Sequence, residues 1–149
     1  MKVAIGTDHG GIVLKQAVID ALDELGYAYE DYGTYDTQSV DYPDYAEKVA
    51  EAVSAGICDK GVLLCGTGIG ISMAANKVKG IRAAVVTNEF CAEVCSAHNN
   101  ANILCMGGRV IAPELAGKLV KIWLSTPFEG GRHLTRINKI KDIENKYKK

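Results

Sequence analysis

The sequence LLCGTGIGIS, residues 63–72, places a cysteine between an apolar run and three alternating glycines. The apolar run predicts a strand over 61–65, and the residues from Ile71 to Val78 predict a helix. Two interpretations of the loop between them are open. Either the glycine amides cradle a phosphate or an oxyanion beside a reactive thiol, or the glycines make a tight turn beside a buried cysteine. Both interpretations predict one strand–loop–helix unit.

Strands and helices alternate on both sides of this unit. Further strands are predicted over 3–7, 27–33, 81–87 and 102–107, and helices over 14–25, 41–56, 90–98, 112–127 and about 134–147. Apolar strands between amphipathic helices predict a parallel sheet that is covered on both faces. We therefore expect a single α/β domain over residues 1–149, with a doubly wound five-stranded parallel sheet in a Rossmann-like or flavodoxin-like three-layer sandwich.

Composition limits the possible functions. The 149 residues suit one domain with a substantial core, and 48% of them are hydrophobic. The net charge of −1 provides no basic field for nucleic acid. No apolar run approaches the roughly 20 residues that span a bilayer, and the N-terminus lacks signal-peptide features. Five cysteines without a disulfide spacing indicate a reducing, cytoplasmic setting.

The predicted strand ends carry the reactive side chains. The first strand ends in Asp8 and His9, the third ends in Cys65, and the fifth is followed by Arg109. In doubly wound sheets, ligands bind beyond the carboxyl ends of the strands. We therefore expect these side chains to share one crevice.

Cys65 is the strongest catalytic candidate, against the alternative that it is a small buried hydrophobe. A helix N-terminus lowers a cysteine pKa from about 8.5 to roughly 3.5–7.5. The amides of Gly66, Gly68 and Gly70 are placed to stabilise an anion. A thiolate base beside an oxyanion site suits proton abstraction next to a carbonyl.

A nucleotide-binding module is a competing hypothesis for the same loop. Its glycines do not have the Gly-x-Gly-x-x-Gly spacing of dinucleotide sites, and the loop lacks the Lys-Ser/Thr pair of a P-loop. Glu89, about twenty residues on and at the end of the next strand, lies where a ribose-binding acid is expected. The hypothesis therefore stays open.

A metal site is not expected. Cys91, Cys95 and His98 share one face of a predicted helix, but this C-x3-C-x2-H run has no fourth ligand nearby and is a poor zinc signature. Arg132 and Arg136 lie four residues apart on the predicted last helix. With Arg109 they could form a phosphate clamp, because guanidinium groups match phosphate oxygens; a solvated helix face is the alternative.

Seven segments in order resemble a known family over essentially the whole chain. They are GTDHGG, DYPDYA, CGTGIGISMAANK, GIRAAV, HNNANIL, GGRV and FEGGRH. Together they are similar to type B ribose-5-phosphate isomerase, in a sugar-phosphate isomerase family that also includes galactose-6-phosphate isomerase subunits.

The resemblance implies an aldose–ketose isomerase of the pentose phosphate pathway that works without metal or cofactor. D-ribose 5-phosphate and D-ribulose 5-phosphate would interconvert through an enediolate, with Cys65 as the base and His98 opening the sugar ring. Isomerases of allose 6-phosphate and galactose 6-phosphate share much of the pattern, so a six-carbon sugar is the alternative substrate. The substrate-binding residues implied are Asp8, His9, Gly66, Thr67, Gly68, Ile69, Gly70, Asn99, Arg109, Arg132 and Arg136.

The resemblance also implies a homodimer, and it leaves open whether dimers pair further. The predicted fold supports a shared active site. Cys65 ends strand three, whereas His98 precedes strand five and so lies near the opposite edge of the sheet. We therefore expect His98 to reach Cys65 of a partner chain, with sugar phosphate as the only other partner and no membrane or nucleic acid involved.

Overall fold

The computed structural model describes residues 1–148. Five parallel strands form one sheet in the order β2-β1-β3-β5-β4. The elements in chain order are β1 (Lys2–Thr7), a 3-10 turn (Ile12–Leu14), α1 (Lys15–Leu25), β2 (Ala28–Asp31), α2 (Tyr42–Ser54), β3 (Lys60–Cys65), α3 (Ile69–Ala75), β4 (Ala83–Val85), α4 (Glu89–Ala97), β5 (Ile103–Gly107), α5 (Pro113–Ser125) and α6 (Arg132–Tyr147).

Helices cover both faces of the sheet, which confirms the doubly wound three-layer fold. Helices α1, α4 and α5 pack on one face, and α2 and α3 pack on the other. This division follows from the right-handedness of the crossover connections. The connections through α1 and α4 run towards the β2 edge of the sheet, whereas those through α2 and α3 run towards the β4 edge, so the two pairs of helices lie on opposite faces.

The strand order differs from the flavodoxin-like order at one edge, where β5 lies between β3 and β4. The burial of the two strands explains the exchange. All of β5 is buried, whereas β4 has only three residues, of which none is fully buried. The more apolar strand therefore occupies the inner position and the shorter one forms the edge.

Each face of the sheet has its own core, because successive side chains of a strand point to opposite faces. On one side Leu64 packs with Leu104 and Trp123, and on the other Leu63 packs with Ile71. The predicted apolar strands are confirmed at β1, β3 and β5. Strand β2 is shorter than its predicted span of 27–33, and its side chains are half-buried or exposed, as suits an edge.

Helix α3 is displaced towards the glycine loop relative to the predicted span of 71–78. It begins at Ile69, directly after Gly68, and ends at Ala75. The side chain of Asn76 explains the early end, because it accepts from the Ala83 N–H at 2.8 Å and donates to the Ala83 carbonyl at 3.0 Å. Asn76 thus ties the end of α3 to β4 before the helix reaches Val78.

Two further observations bear on the expectations from composition. Within residues 1–148, no helix is both long enough and apolar enough to cross a membrane. The five cysteines are free thiols; four of them are buried and Cys91 is half-buried.

Candidate active site

The loops after β1, β3 and β5 meet at the carboxyl edge of the sheet. β3 lies between the other two strands, with Thr7 beside Leu64 and Cys65 beside Gly107. The chain leaves β3 towards one face, whereas it leaves β1 and β5 towards the other. A crevice therefore opens on each side of the β3 end, as expected where connections diverge.

Glycines allow these three loops to approach backbone to backbone. A Cβ atom on Gly108 would lie 2.3 Å from the Gly10 carbonyl oxygen, and one on Gly11 would lie 2.4 Å from the carbonyl carbon of Leu64. Neither distance is compatible with a side chain. The HGG and GGR segments are therefore required to bring the loops together, and backbone groups form much of the crevice wall.

Cys65 is buried at the end of β3, with 5% of its surface exposed. Its Sγ accepts a hydrogen bond from the Gly68 N–H at 3.0 Å. Gly68 has a φ of +83°, a conformation that favours glycine and that turns this amide back towards the sulfur. The sulfur is thus held directly beside the residue that precedes the first turn of α3.

The remaining loop residues are oriented by contacts with the β5 loop. The carbonyls of Cys65 and Gly66 accept from the N–H groups of Gly108 and Arg109, at 2.8 and 2.9 Å. Thr67 is exposed, and its Oγ1 accepts from the Ile69 N–H at 3.1 Å. The β5 loop thus occupies two carbonyls of the glycine loop, while the amides of Gly68 and Ile69 are bonded to Cys65 Sγ and Thr67 Oγ1.

Asp8 and His9 lie at the end of β1 with defined hydrogen bonds. Oδ1 of the buried Asp8 accepts from the N–H groups of Gly10 and Gly11, at 2.8 and 3.1 Å. Nδ1 of His9 accepts from the Val40 N–H at 3.2 Å. Nδ1 therefore carries no proton, and the proton of a neutral imidazole must be on Nε2, where it can be donated to an anion or a hydroxyl.

Arg109 also lies at this edge. Its Cδ and Nε atoms are each 3.6 Å from the position of a Cβ atom on Gly66. The guanidinium is exposed beside the glycine loop and adds positive charge to the crevice. Arg109 thus lies beside Cys65 in the same chain.

Tyr42 is a residue of this edge that sequence reasoning missed. A Cβ atom on Gly70 would lie 2.6 Å from Cζ of the Tyr42 ring and 2.8 Å from its hydroxyl oxygen. The ring therefore covers the first turn of α3 and forms a side wall next to the glycine loop. The only available signal was its position in the DYPDYA segment.

His98 lies at the opposite, amino edge of the sheet. It follows the last residue of α4, and its N–H donates to the Val94 carbonyl at 2.8 Å. The chain then enters β5 at Ile103, which pairs with Gly61, whereas Cys65 pairs with Gly107 four residues later. At about 3.3 Å per residue, this part of the sheet alone separates the two edges by about 13 Å. His98 and Cys65 of one chain therefore do not meet.

His98 instead stacks on His133 at the start of α6. The ring centroids are 4.2 Å apart and the ring planes differ by 9°. Glu129 approaches both rings, with its carboxylate oxygens 3.8 Å from Nε2 of His98 and 3.5 Å from Nε2 of His133. Sequence reasoning missed Glu129 and His133, although the FEGGRH segment contains both. We refer to His98, Glu129 and His133 as the His–Glu–His cluster.

Burial and neighbouring charges lower the pKa of His133. Partial burial lowers the pKa of His133 most, and repulsion from His98 and Arg132 lowers it further, while Glu129 acts in the opposite direction. Arg136 has the smallest effect, also a lowering. Arg132 and Arg136 lie on the first two turns of α6, so the basic end of this helix adjoins His98 and Asn99.

The candidate residues therefore form two groups within one chain. Asp8, His9, Cys65 and the loop from Gly66 to Gly70 lie with Arg109 at the carboxyl edge. His98, Asn99, Arg132 and Arg136 lie at the amino edge. A phosphate clamp of all three arginines cannot form in one chain, because the sheet separates Arg109 from the other two.

The alternative metal run on α4 does not assemble. Cys95 points into the core, where its Sγ contacts the Ala92 carbonyl at 3.4 Å and burial raises the pKa of its thiol to about 11. Within the described part of the chain, His98 groups with Glu129 and His133 instead of with Cys91 and Cys95.

Comparisons with known proteins agree with this fold. The family model described as Ribose/Galactose Isomerase matches residues 3–140. Ribose-5-phosphate isomerase B of Clostridium thermocellum superposes with a TM-score of 0.96 at 55% identity, over 99% of each chain. A ribose 5-phosphate isomerase of Thermotoga maritima gives a TM-score of 0.91 at 50% identity, over 95% of this chain and 97% of its own.

A sequence relative extends the agreement. Ribose-5-phosphate isomerase B of Escherichia coli is 46% identical over 143 residues, which cover 96% of each chain. A family model that spans nearly all of the described residues, together with identities of this size over nearly full lengths, leaves one assignment. The chain belongs to the Ribose/Galactose Isomerase family.

Proposed function

We propose that this chain is an aldose–ketose isomerase that interconverts D-ribose 5-phosphate and D-ribulose 5-phosphate. The observation that carries the proposal is the buried Cys65 thiol, held at 3.0 Å by the Gly68 amide inside an amide-lined crevice. Proton transfer between neighbouring carbons needs a base beside an oxyanion site, and this crevice offers both. The activity in the names of the similar proteins supports the same substrate.

The chemical step follows from this arrangement. The Cys65 thiolate removes the proton from C2 of the open-chain aldose, and the electron pair shifts so that the C1 oxygen becomes an enediolate oxygen. Amides of Gly66, Thr67 and Gly70 stabilise that charge, since those of Gly68 and Ile69 are bonded to Cys65 Sγ and Thr67 Oγ1. The proton of the C2 hydroxyl then passes to the C1 oxygen, and the thiol returns its proton to C1, so that C2 becomes the ketone carbonyl and the thiolate is regenerated. The carboxylate of Asp8 accepts from hydroxyl groups of the sugar, and His9 donates to hydroxyl or phosphate oxygens.

Ring opening requires a second copy of the chain in this proposal. His98 is the acid–base group for opening the cyclic sugar, and it lies at the far edge of its own sheet. A two-fold dimer would place His98, Asn99 and the arginines of α6 beside the partner's Cys65 crevice, giving two identical sites. Exposed apolar side chains on α3 and α4 support such an interface, since Met73 and Phe90 are 65% and 71% exposed.

The nucleotide-binding alternative has less support. Glu89, its proposed ribose-binding acid, is the first residue of α4 and pairs with Lys118 of α5 at 3.0 Å. It also follows the edge strand β4, away from the end of β3. A six-carbon sugar phosphate remains the alternative substrate, because the family description includes galactose as well as ribose.

A coupled assay tests the proposal. Ribose 5-phosphate, allose 6-phosphate and galactose 6-phosphate are supplied in turn, with and without EDTA. We expect the highest kcat/KM with ribose 5-phosphate and no loss of activity with EDTA. Faster turnover of a six-carbon sugar would select that alternative substrate, and nucleotide binding without any turnover would select the binding module. The proposal treats residues 1–149 as one domain acting in the cytoplasmic pentose phosphate pathway.

A further inference from the structure

We infer that the His–Glu–His cluster is a binding site for one divalent transition-metal ion of the Zn²⁺ class, and that an ion bound there inhibits the isomerase. Binding of the ion needs only the geometry of His98, Glu129 and His133. Inhibition rests on the proposed function, because it requires that His98 opens the sugar ring.

The spacing of the three side chains is close to that of a tetrahedral site. Zinc lies about 2.0–2.2 Å from nitrogen and oxygen ligands, so neighbouring ligand atoms of a tetrahedron are about 3.3–3.6 Å apart. Oε1 of Glu129 lies 3.5 Å from Nε2 of His133, and its Oε2 lies 3.8 Å from Nε2 of His98. One ligand atom from each of the three residues lies within 4.8 Å of the other two. Side-chain rotations would have to bring these atoms closer together around one ion.

The type of ligand agrees with the spacing. Two imidazoles and one carboxylate form the ligand set of open zinc sites, in which water or another small ligand takes the fourth position. Both histidines direct Nε2 towards the same carboxylate. Their rings are nearly parallel, so one ring has to tilt for both nitrogen lone pairs to point at one ion.

Two hydrogen bonds fix the position of Glu129 relative to His98 without a bound ion. The Glu129 N–H donates to the Ala97 carbonyl at 3.0 Å, next to His98. Ser96 Oγ donates to the Thr126 carbonyl at 2.5 Å, three residues before Glu129. The segment that carries Glu129 is thus fastened to the end of α4. The ligands come from two elements that the fold already brings together.

Local charge acts in both directions. Arg132 adjoins the cluster and repels a cation, whereas Glu129 attracts one. We therefore expect weaker binding than at structural zinc sites, and binding that is easily reversed by a chelator.

Metal binding is tested on the full chain carrying Cys65→Ala, to remove the reactive thiol. Equilibrium dialysis with Zn²⁺, and optical titration with Co²⁺, should each give one ion per chain. Glu129→Gln and His133→Asn should each weaken binding at least about tenfold. His9→Asn is the matched control, since His9 is the one histidine of the chain outside the cluster, and it should leave binding unchanged.

Three results would overturn the site. They are no binding by the parent chain, equal binding by the Glu129→Gln and His133→Asn variants, or a thiolate-to-cobalt charge-transfer band that shows cysteine ligation. Circular dichroism and Tm of each variant establish that it is folded, so that weaker binding reports the lost ligand.

Inhibition is tested separately with Cys65 intact. Zn²⁺ should reduce turnover of ribose 5-phosphate, EDTA should restore it, and Glu129→Gln should raise the half-inhibiting concentration at least about tenfold. If the ion binds at the cluster and turnover is unchanged, the proposed inhibition is disproved but the proposed metal site still holds. A parent chain without isomerase activity would instead disprove the proposed function, while the dialysis result still decides the site.

Discussion

The two edges of the sheet are built in different ways. At the carboxyl edge, Cys65 and Asp8 are buried, and backbone amides hold them in place. At the amino edge, His98, Arg132 and Arg136 sit at helix ends and are half-buried or exposed. One edge is thus organised by the folding of a single chain. The other presents its reactive groups outward, which agrees with the proposal that they complete a site on a second chain.

This difference predicts which kind of effect a substitution has. In the proposed mechanism, one side chain at the carboxyl edge performs the chemistry and the backbone stabilises the charge, so a change there should affect turnover. In the same proposal, exposed charges at the amino edge bind the substrate and a histidine transfers protons. Changes there should affect substrate capture, or should be rescued by a second chain.

Loss of the Cys65 thiol should have the largest effect. Cys65→Ala removes the only proposed base for proton transfer between C1 and C2, and we expect at least a ~10²-fold lower kcat. Cys58→Ala is the matched control, because Cys58 is also a buried thiol but precedes β3 at the other edge. Near-normal turnover by Cys65→Ala would remove this residue from the mechanism. Substrate should also slow the alkylation of Cys65 by iodoacetamide.

Mixing two inactive variants tests whether the two edges belong to different chains. Cys65→Ala and His98→Ala are combined under conditions that allow subunits to exchange. Random exchange makes about half of the dimers hybrid, each with one intact site of two, so we expect about a quarter of the parental activity. If hybrids form, as native mass spectrometry would show, and activity stays absent, then both residues act within one chain or His98 has another role.

The arginines of α6 should affect capture of the substrate more than turnover. Arg132→Ala or Arg136→Ala removes charge-assisted bonds to phosphate, which are worth about 1.5–3 kcal/mol each, so KM should rise at least about tenfold. Lys139→Ala removes an exposed positive charge from the same helix and serves as the control. Arg109→Ala should raise KM as well, from the other edge. Unchanged kinetic constants would show that the clamp is misassigned.

The smallest effect is expected for a substitution at the start of α4, the helix that precedes His98. The side chain of Asn88 caps α4 by accepting from the Cys91 N–H at 2.8 Å. Asn88→Ala should lower the free energy of unfolding by about 1 kcal/mol, measured by urea denaturation, because the first turn loses an acceptor. Asn88→Asp keeps an acceptor and should retain most of the stability. Equal stability of all three proteins would show that the cap does not contribute.

Much of the carboxyl edge could be predicted from local sequence. The apolar run before Cys65 and the glycines after it require a strand, a tight loop and a helix within ten residues, and the structure has these elements. Parallel strands bring their carboxyl ends to the same edge, so the positions of Asp8, Cys65 and Arg109 followed from the strand assignment alone.

The amino edge could not be predicted in this way. His98 lies 31 residues before Glu129 and 35 before His133 in the sequence, and no periodicity relates them. Their contact depends on how the segment before α6 attaches to the end of α4, through the Glu129 N–H and the Ala97 carbonyl. The helical face of Cys91, Cys95 and His98 does not reveal this contact either, since packing turns Cys95 into the core.

The sequence alone determined the α/β class, the parallel sheet and the thiol beside the glycine loop, because these depend on hydrophobic periodicity and on backbone conformations that only glycine adopts readily. Only the tertiary structure decided that β5 lies between β3 and β4, that the arginines divide between the carboxyl and amino edges of the sheet, and that His98 stacks on His133. These features depend on competition between distant segments for buried positions, and a linear pattern does not contain the outcome of that competition.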